Sequence, residues 1–257
     1  MPTGIRMYMG EPTGNTGPSP LIWADCPVLE LIEDPSKGYY YFEDFVGPLN
    51  PTDDDGYAIT TTTSGELRKA DYAGGAMVVD SAGHASADDG IEAQLAGECW
   101  KPAANKTLWF EARVKFSDVA TTPDQFFIGL ATTDTSLFAG GELDESNNSL
   151  LGFYTDANST AGDIEFISCK AGSAEIDTDG GGGDAEDDTW YKLGFKVYTE
   201  EGQLKVDYFV DGELVGTITD TDDIPVTEMA LSFVAKCEQT SADAEMTVDW
   251  VRIAQLR

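Results

Sequence analysis

The residues best typed and spaced for chemistry in this sequence are acidic. The run DTDGGGGDAEDD, residues 177–188, places oxygen ligands at the short intervals a hard cation uses. Set against a twelve-residue calcium loop, it supplies Asp177, Asp179, Gly182 and Asp188, but its fifth position is Gly181, which has no side-chain ligand. No helical periodicity flanks the run, so a solvated loop is expected and no metal ligand is assigned. PTDDDG at 51–56 and DTDD at 220–223 carry the same pattern more weakly. His84 is the sole histidine, between Ser81 and Ser86 in the small-residue turn SAGHAS. That turn lacks the strand–turn–helix pattern that exposes a nucleophile, so a surface histidine is expected. Trp100, Trp109, Trp190 and Trp250 could line a platform for a sugar ring. Each falls in or beside a strand-like run, where core packing or sheet cover is the plainer role. Walker loops, dinucleotide fingerprints and zinc-ligand clusters are absent from the sequence. No catalytic, cofactor-binding or metal residue is assigned, and no cofactor.

Bulk properties narrow the classes. The chain has 257 residues and 41% hydrophobic content, enough for one large β domain with a full core. Its formal charge of −32 repels nucleic acid and anionic lipid, so neither nucleic acid nor membrane is an expected partner. The excess carboxylates read either as a solvated surface or as a means of holding cations or a basic partner. The sequence begins with no basic, apolar leader and contains no membrane-length apolar run, which points to a cytoplasmic setting. Cys26, Cys99, Cys169 and Cys237 lie far apart and are expected to be reduced thiols. Cys169 and Cys237 fall in strand-like runs and read as small core residues. The sequons at Asn105, Asn147 and Asn158 read as chance matches.

The elements that must position any site are strands. From Tyr39 onward, short runs of alternating apolar and polar residues follow one another with turn residues between them. In LWFEARVKF, Leu108, Phe110, Ala112, Val114 and Phe116 should face inward, and Glu111, Arg113 and Lys115 should face water. Around Asp211-Gly212 the sequence predicts a two-residue hairpin. Its register sets Val210 opposite Glu213, Phe209 opposite Leu214, Tyr208 opposite Val215 and Val206 opposite Thr217. With apolar groups on both of its faces, the hairpin suits an interior position. No window repeats apolar residues at helical spacing. The prediction is all-β: a two-sheet antiparallel β-sandwich, a jelly roll, over residues 39–257, with an extended N-terminal arm over residues 1–38. That arm is rich in Pro and Gly yet carries Ile5, Met7, Tyr8, Met9, Leu21, Ile22 and Trp23. It therefore either folds back over its own domain or docks on another subunit.

WYKLGFKVY, VDYFVDGELVGT and the terminal VDWVRIA resemble the late strands of concanavalin A-like lectin/glucanase jelly rolls, which include laminarinase-type glycosidases, laminin-G-like modules and legume-type lectins. The glycosidase branch implies carboxyls at alternate positions of one strand, because two must flank the sugar bond and a third must hold one of them in its state. Glu175, Asp177 and Asp179 have that alternation, but end in Asp and run into glycines 180–183. Glu142, Asp144 and Glu145 break it. Neither set lies in an apolar, aromatic-flanked strand, so both read as solvated loops and the chain is expected not to be an enzyme.

Domains of this kind also occur as capsid decoration proteins of tailed bacteriophages. The expectation is accordingly a virion structural protein, a decoration or cement subunit, assembled in the host cytoplasm. It would hold the major capsid protein or another virion protein through the arm and one sheet face. Self-association and surface glycans stay open as further partners. The alternative is a carbohydrate-binding, lectin-like module, with a laminarinase-type hydrolase behind it.

Overall fold

A computed structural model describes residues 16–47, 56–82, 89–120, 124–156, 158–177, 185–238 and 244–257, with backbone alone at 175–177. The predicted alternation closes into two antiparallel sheets. One has eight strands: β1 (Gly38–Glu43), β3 (Glu66–Lys69), β4 (Met77–Asp80), β6 (Leu108–Phe116), β13 (Tyr191–Glu200), β14 (Gln203–Val210), β15 (Glu213–Ile218) and β17 (Glu245–Leu256). Their order is β15-β14-β13-β6-β17-β4-β3, and β1 pairs with the far half of β17. The other has seven: β2 (Tyr57–Thr62), β5 (Gly90–Leu95), β7 (Gln125–Ala131), β10 (Ser149–Thr155), β11 (Glu165–Lys170), β12 (Ala174–Asp177) and β16 (Ala230–Lys236). Their order is β12-β11-β10-β7-β16-β5-β2. A short hairpin, β8 (Phe138–Ala139) with β9 (Glu142–Leu143), lies apart from both.

The core fills the space between the sheets. Leu108, Phe110, Ala112, Val114 and Phe116 all point into it, as the alternation predicts. Phe166 of one sheet stacks on Tyr208 of the other, with centroids 4.5 Å apart and planes 7° from parallel. Such a pair adds about 0.5–1.5 kcal/mol beyond its buried area. The buried apolar area of the core is what holds the layers face to face.

The hairpin corrects the prediction in two ways. Asp211 and Gly212 do take positive φ, 51° and 82°. Val210 does face Glu213 and Phe209 does face Leu214, but a bulge then sets Tyr208 opposite Gly216 and Val206 opposite Ile218. The extra residue brings Ile218, 2% exposed, into the core where an unbulged ladder would have put Thr217. The bulge also places side-chain-free Gly216 against the Tyr208 phenol, where a Cβ would sit 2.1 Å from the hydroxyl. The hairpin is not interior either: β15 is an edge strand, with Leu214 and Val215 exposed.

Glu111 is the second correction. It faces away from the core as predicted, yet it is 0% exposed, because the arm lies over it. The described part of the arm is not extended throughout. It forms α1 (Pro20–Trp23) and α2 (Val28–Glu33), with Pro20 at a first-turn position where its missing N–H costs nothing. Helices of four and six residues are too short to show a repeat in sequence. Of the two placements left open, residues 16–37 take the first. Ile22, Trp23 and Leu31 bury themselves against Trp109, Phe209 and Ala254 on the outer face of the eight-stranded sheet.

Polar groups fix this docking. The Glu111 carboxylate accepts from Ser19 N at 2.9 and 3.1 Å and from Trp23 Nε1 at 2.6 Å. Trp109 Nε1 donates to Asp25, which also pairs with Lys196 at 2.6 Å, and Trp250 Nε1 donates to Thr16 O. The Arg252 guanidinium lies 4.2 Å from the Trp23 ring centroid. Gly194 leaves the space Ile22 fills, since a Cβ there would stand 2.6 Å from Ile22 Cδ1. All four cysteines are free thiols. Burial pushes Cys26 up to about 12 and Cys169 up to about 11, so neither is a ready nucleophile. Cys169 and Cys237 are core residues, as expected. Among the described residues no helix is long and apolar enough to cross a membrane.

Candidate functional site

The outer face of the seven-stranded sheet would be the open one, since the arm covers the other. Its middle strand, β7, turns Gln125, Phe127, Gly129 and Ala131 outward, opposite to its core-facing Phe126, Ile128 and Leu130. The chain covers this face too. Residues 132–148, including the β8–β9 hairpin, fold across it and bury Leu137, Phe138 and Leu143 against Phe127, Leu150, Ile167 and Val234. The turn of the hairpin uses Gly140 and Gly141 at φ 66° and 88°. Beneath it, Glu92 of β5 pairs with Lys236 of β16 at 2.5 Å, their side chains 1% and 4% exposed. Glu92 also accepts from Leu137 N at 3.2 and 3.1 Å, so a buried charge pair pins the start of the flap.

A cleft of about 720 Å³ stays open beside the hairpin, lined among others by Glu142, Asp144, Glu145, Tyr154, Asp156 and Glu165. The flap, two strands and the turn between them supply it, Asp156 and Asn158 coming from the turn. Glu142 and Glu145 come from the flap, Tyr154 from β10 and Glu165 from β11, the last two being directly paired across the sheet. Tyr154 Oη donates to Glu165 Oε2 at 2.5 Å. Asn158 Nδ2 donates to Glu142 at 2.9 Å, and Asp156 accepts from Asn158 N at 2.8 Å. Asp144 is held by the Asn147 amide at 2.8 and 3.1 Å. Among the described residues no lysine, arginine or histidine lines the cleft.

The electrostatics follow from that composition. Burial, and then the charges of Asp156, Glu142 and Glu165, raise the Glu145 carboxyl above its ordinary value. Burial also raises Glu165, with the bond from Tyr154 working against it. Burial and Glu165 together push the Tyr154 phenol far above its usual range. The cleft thus offers carboxyls whose protonated form burial favours, next to others that accept hydrogen bonds. Sugar hydroxyls take such partners, and acid catalysis needs such a pair.

The sequence candidates are scattered by the fold. Glu142, Asp144 and Glu145 do converge, although they broke the alternation. Glu175 and Asp177 fall on β12, the edge strand, opposite Ser168 and Phe166. Asp179, Gly181 and Gly182 lie outside the described residues, as do residues 51–55 and His84 with Ser86. Asp188 is exposed and pairs with Lys115 at 3.1 Å. Asp220 accepts from Asp222 N within its own turn. Among the described residues no group of three His, Cys, Asp or Glu side chains is arranged to hold a metal. Ser81 is buried, bonded to Cys237 Sγ and Ala244 N. Trp100 packs on Tyr39, Trp109 and Trp250 lie under the arm, and Trp190 carries Arg113 at 4.3 Å from its ring. The sequence reading missed Tyr154, Asp156 and Glu165. Their signal is the cross-strand pairing of β10 with β11, which no spacing along the chain displays.

No protein-family model and no curated protein sequence matches the chain. Solved structures do. An endo-1,3-beta-glucanase from Streptomyces sioyaensis superposes with a TM-score of 0.58 at 10% identity, over 84% of this chain and 95% of that one. The lectin UEA-II, solved with galactose, gives 0.57 at 9% identity over 85% and 99%. The Bacillus licheniformis beta-glucanase gives 0.51 at 14% over 83% and 97%. The chain therefore shares the jelly-roll sandwich fold of these glucanases and this lectin. These likenesses overturn the expectation that the chain is not an enzyme. Two of the three structures just named are glucanases, so the fold by itself does not set hydrolysis aside.

Proposed function

We propose that this chain is a virion structural protein, a capsid decoration or cement subunit of a tailed bacteriophage that holds and stabilises the shell. One observation carries the reading. The chain covers both outer sheet faces with its own segments, yet leaves Leu21, Leu29 and Ile32 of the arm exposed, and Phe42 and Val46 just after it in the chain. Apolar groups held outward on a fixed platform suit a repeated protein contact, in which weak single sites sum to high avidity. The acidic remainder keeps particles apart in solution. The chain would be assembled in the host cytoplasm and reside on the virion. The test is co-sedimentation with empty heads of the virus whose genome carries the coding sequence. Saturable, stoichiometric pelleting supports the role, and a chain that stays in the supernatant refutes it.

A second reading, carbohydrate binding, is supported by the cleft of Glu142, Glu145, Tyr154, Asp156 and Glu165. A glycan array tests it, with hydrolysis of laminarin measured alongside. Binding or cleavage that disappears in Glu165→Gln supports it, and silence on every glycan removes it.

A further inference from the structure

The outward side of α2 has a chemistry that selects its partner. Leu31 of α2 is buried at 3%, while Leu29 and Ile32, three residues apart on one ridge, are 53% and 57% exposed. Glu30 and Glu33 form the neighbouring ridge, also exposed. Phe42, 45% exposed, follows Tyr40 by two residues and so shares its outward face, the face on which the arm rests. Glu43 and Asp44 come next in the chain. Among the described residues no ion pair joins Glu30, Glu33, Glu43 or Asp44 to a lysine or arginine. The exposed apolar strip of Leu29 and Ile32 thus lies beside Glu30 and Glu33, carboxylates that no ion pair among the described residues neutralises.

We infer that this strip docks a protein partner presenting apolar side chains flanked by lysine and arginine. A second copy of the chain is disfavoured, because apposing the strips would oppose like charges on two molecules of formal charge −32 each. Nucleic acid and anionic lipid are repelled for the same reason. The inference deepens the shell-binding reading and rests on it for the partner's being a protein.

The test uses the full chain and a short amphipathic Leu/Lys peptide as probe, with a Leu/Glu peptide of the same pattern as control, read by fluorescence anisotropy. The Leu/Lys peptide should bind, more weakly as salt is raised, and the Leu/Glu peptide should not. The double variant Leu29→Ser/Ile32→Ser, whose sites are exposed and whose fold is checked by circular dichroism, should lose about tenfold in affinity. Glu30→Gln/Glu33→Gln should reduce the salt dependence, and a like exchange at the remote pair Glu200 and Glu201 should change it little. Equal binding of both peptides, or an unchanged affinity in Leu29→Ser/Ile32→Ser, overturns the inference. So does dimerisation of the unliganded chain through this strip in sedimentation velocity. If peptide binding behaves as expected but heads do not pellet the chain, the shell reading falls and the strip stands. If heads pellet it with Leu29→Ser/Ile32→Ser unaffected, the reverse holds.

Discussion

Trp23→Ala is the perturbation that most directly measures how firmly the arm is held. The indole is 6% exposed, donates to Glu111 at 2.6 Å and lies under Arg252 at 4.2 Å. Emptying a buried aromatic site costs about 3–5 kcal/mol where the surroundings cannot relax. Here the arm can lift instead, so the loss should appear as opening of residues 19–34 and not as global unfolding. Taking about 3 kcal/mol, at 1.4 kcal/mol per factor of ten, exchange through that opening should speed up about a hundredfold. Hydrogen exchange with mass spectrometry reads it at Trp23, Leu31 and Asp34, whose amides bond to Ser19 O, Pro27 O and Glu30 O. Peptides from β10 and β16, in the other sheet, should keep their rates. Unchanged exchange in the arm would refute the latch, and equal acceleration in β10 and β16 would refute its independence.

Other outcomes follow from the same contacts. Gly194→Ala puts a methyl 2.6 Å from Ile22 Cδ1 and 2.9 Å from Phe110 O, and overpacking of this order costs about 1–3 kcal/mol; arm exchange should accelerate, and because lifting the arm does not relieve the Phe110 contact, the midpoint of urea unfolding should fall as well. Lys236→Met strands Glu92 without its partner, which costs about 3–5 kcal/mol and should lower the melting temperature by about 10 °C in calorimetry. Glu145 and Glu165 have folded values raised above their unfolded ones, so the stability they contribute is full below the ordinary carboxyl value and is lost as pH rises through the folded values. Glu145→Gln/Glu165→Gln should therefore flatten the decline in stability from acid toward neutral pH, read by denaturant titration at a series of pH values. A decline as steep as that of the native chain would contradict the assignment.

The fold was legible because its signals are local. Alternation in Leu108–Phe116 and the Asp211-Gly212 turn each specify a face or a register within about ten residues. What escaped depends on contacts distant in sequence. Glu111 reads as a water-facing residue until Ser19, 92 positions earlier, is laid over it. The Tyr208 bulge is set by the fit of a phenol over Gly216, and side-chain fit leaves no period in the chain. The cleft was half visible. Glu142 and Glu145 stand close together in sequence, but Glu165 joins them only through the pairing of β10 with β11 and the flap that crosses both. Carboxylates in a loop look solvated whether or not a sheet rises beneath them.

The proposed role makes this sandwich a shell component, with the α1–α2 side toward its partner. Cryo-electron microscopy of particles of the encoding virus tests it most directly. Jelly-roll density is expected on the outside of the head, with Leu29 and Ile32 against a basic surface of the shell. Heads bare of that density, or the sandwich bound with its α2 face turned to solvent, would contradict it.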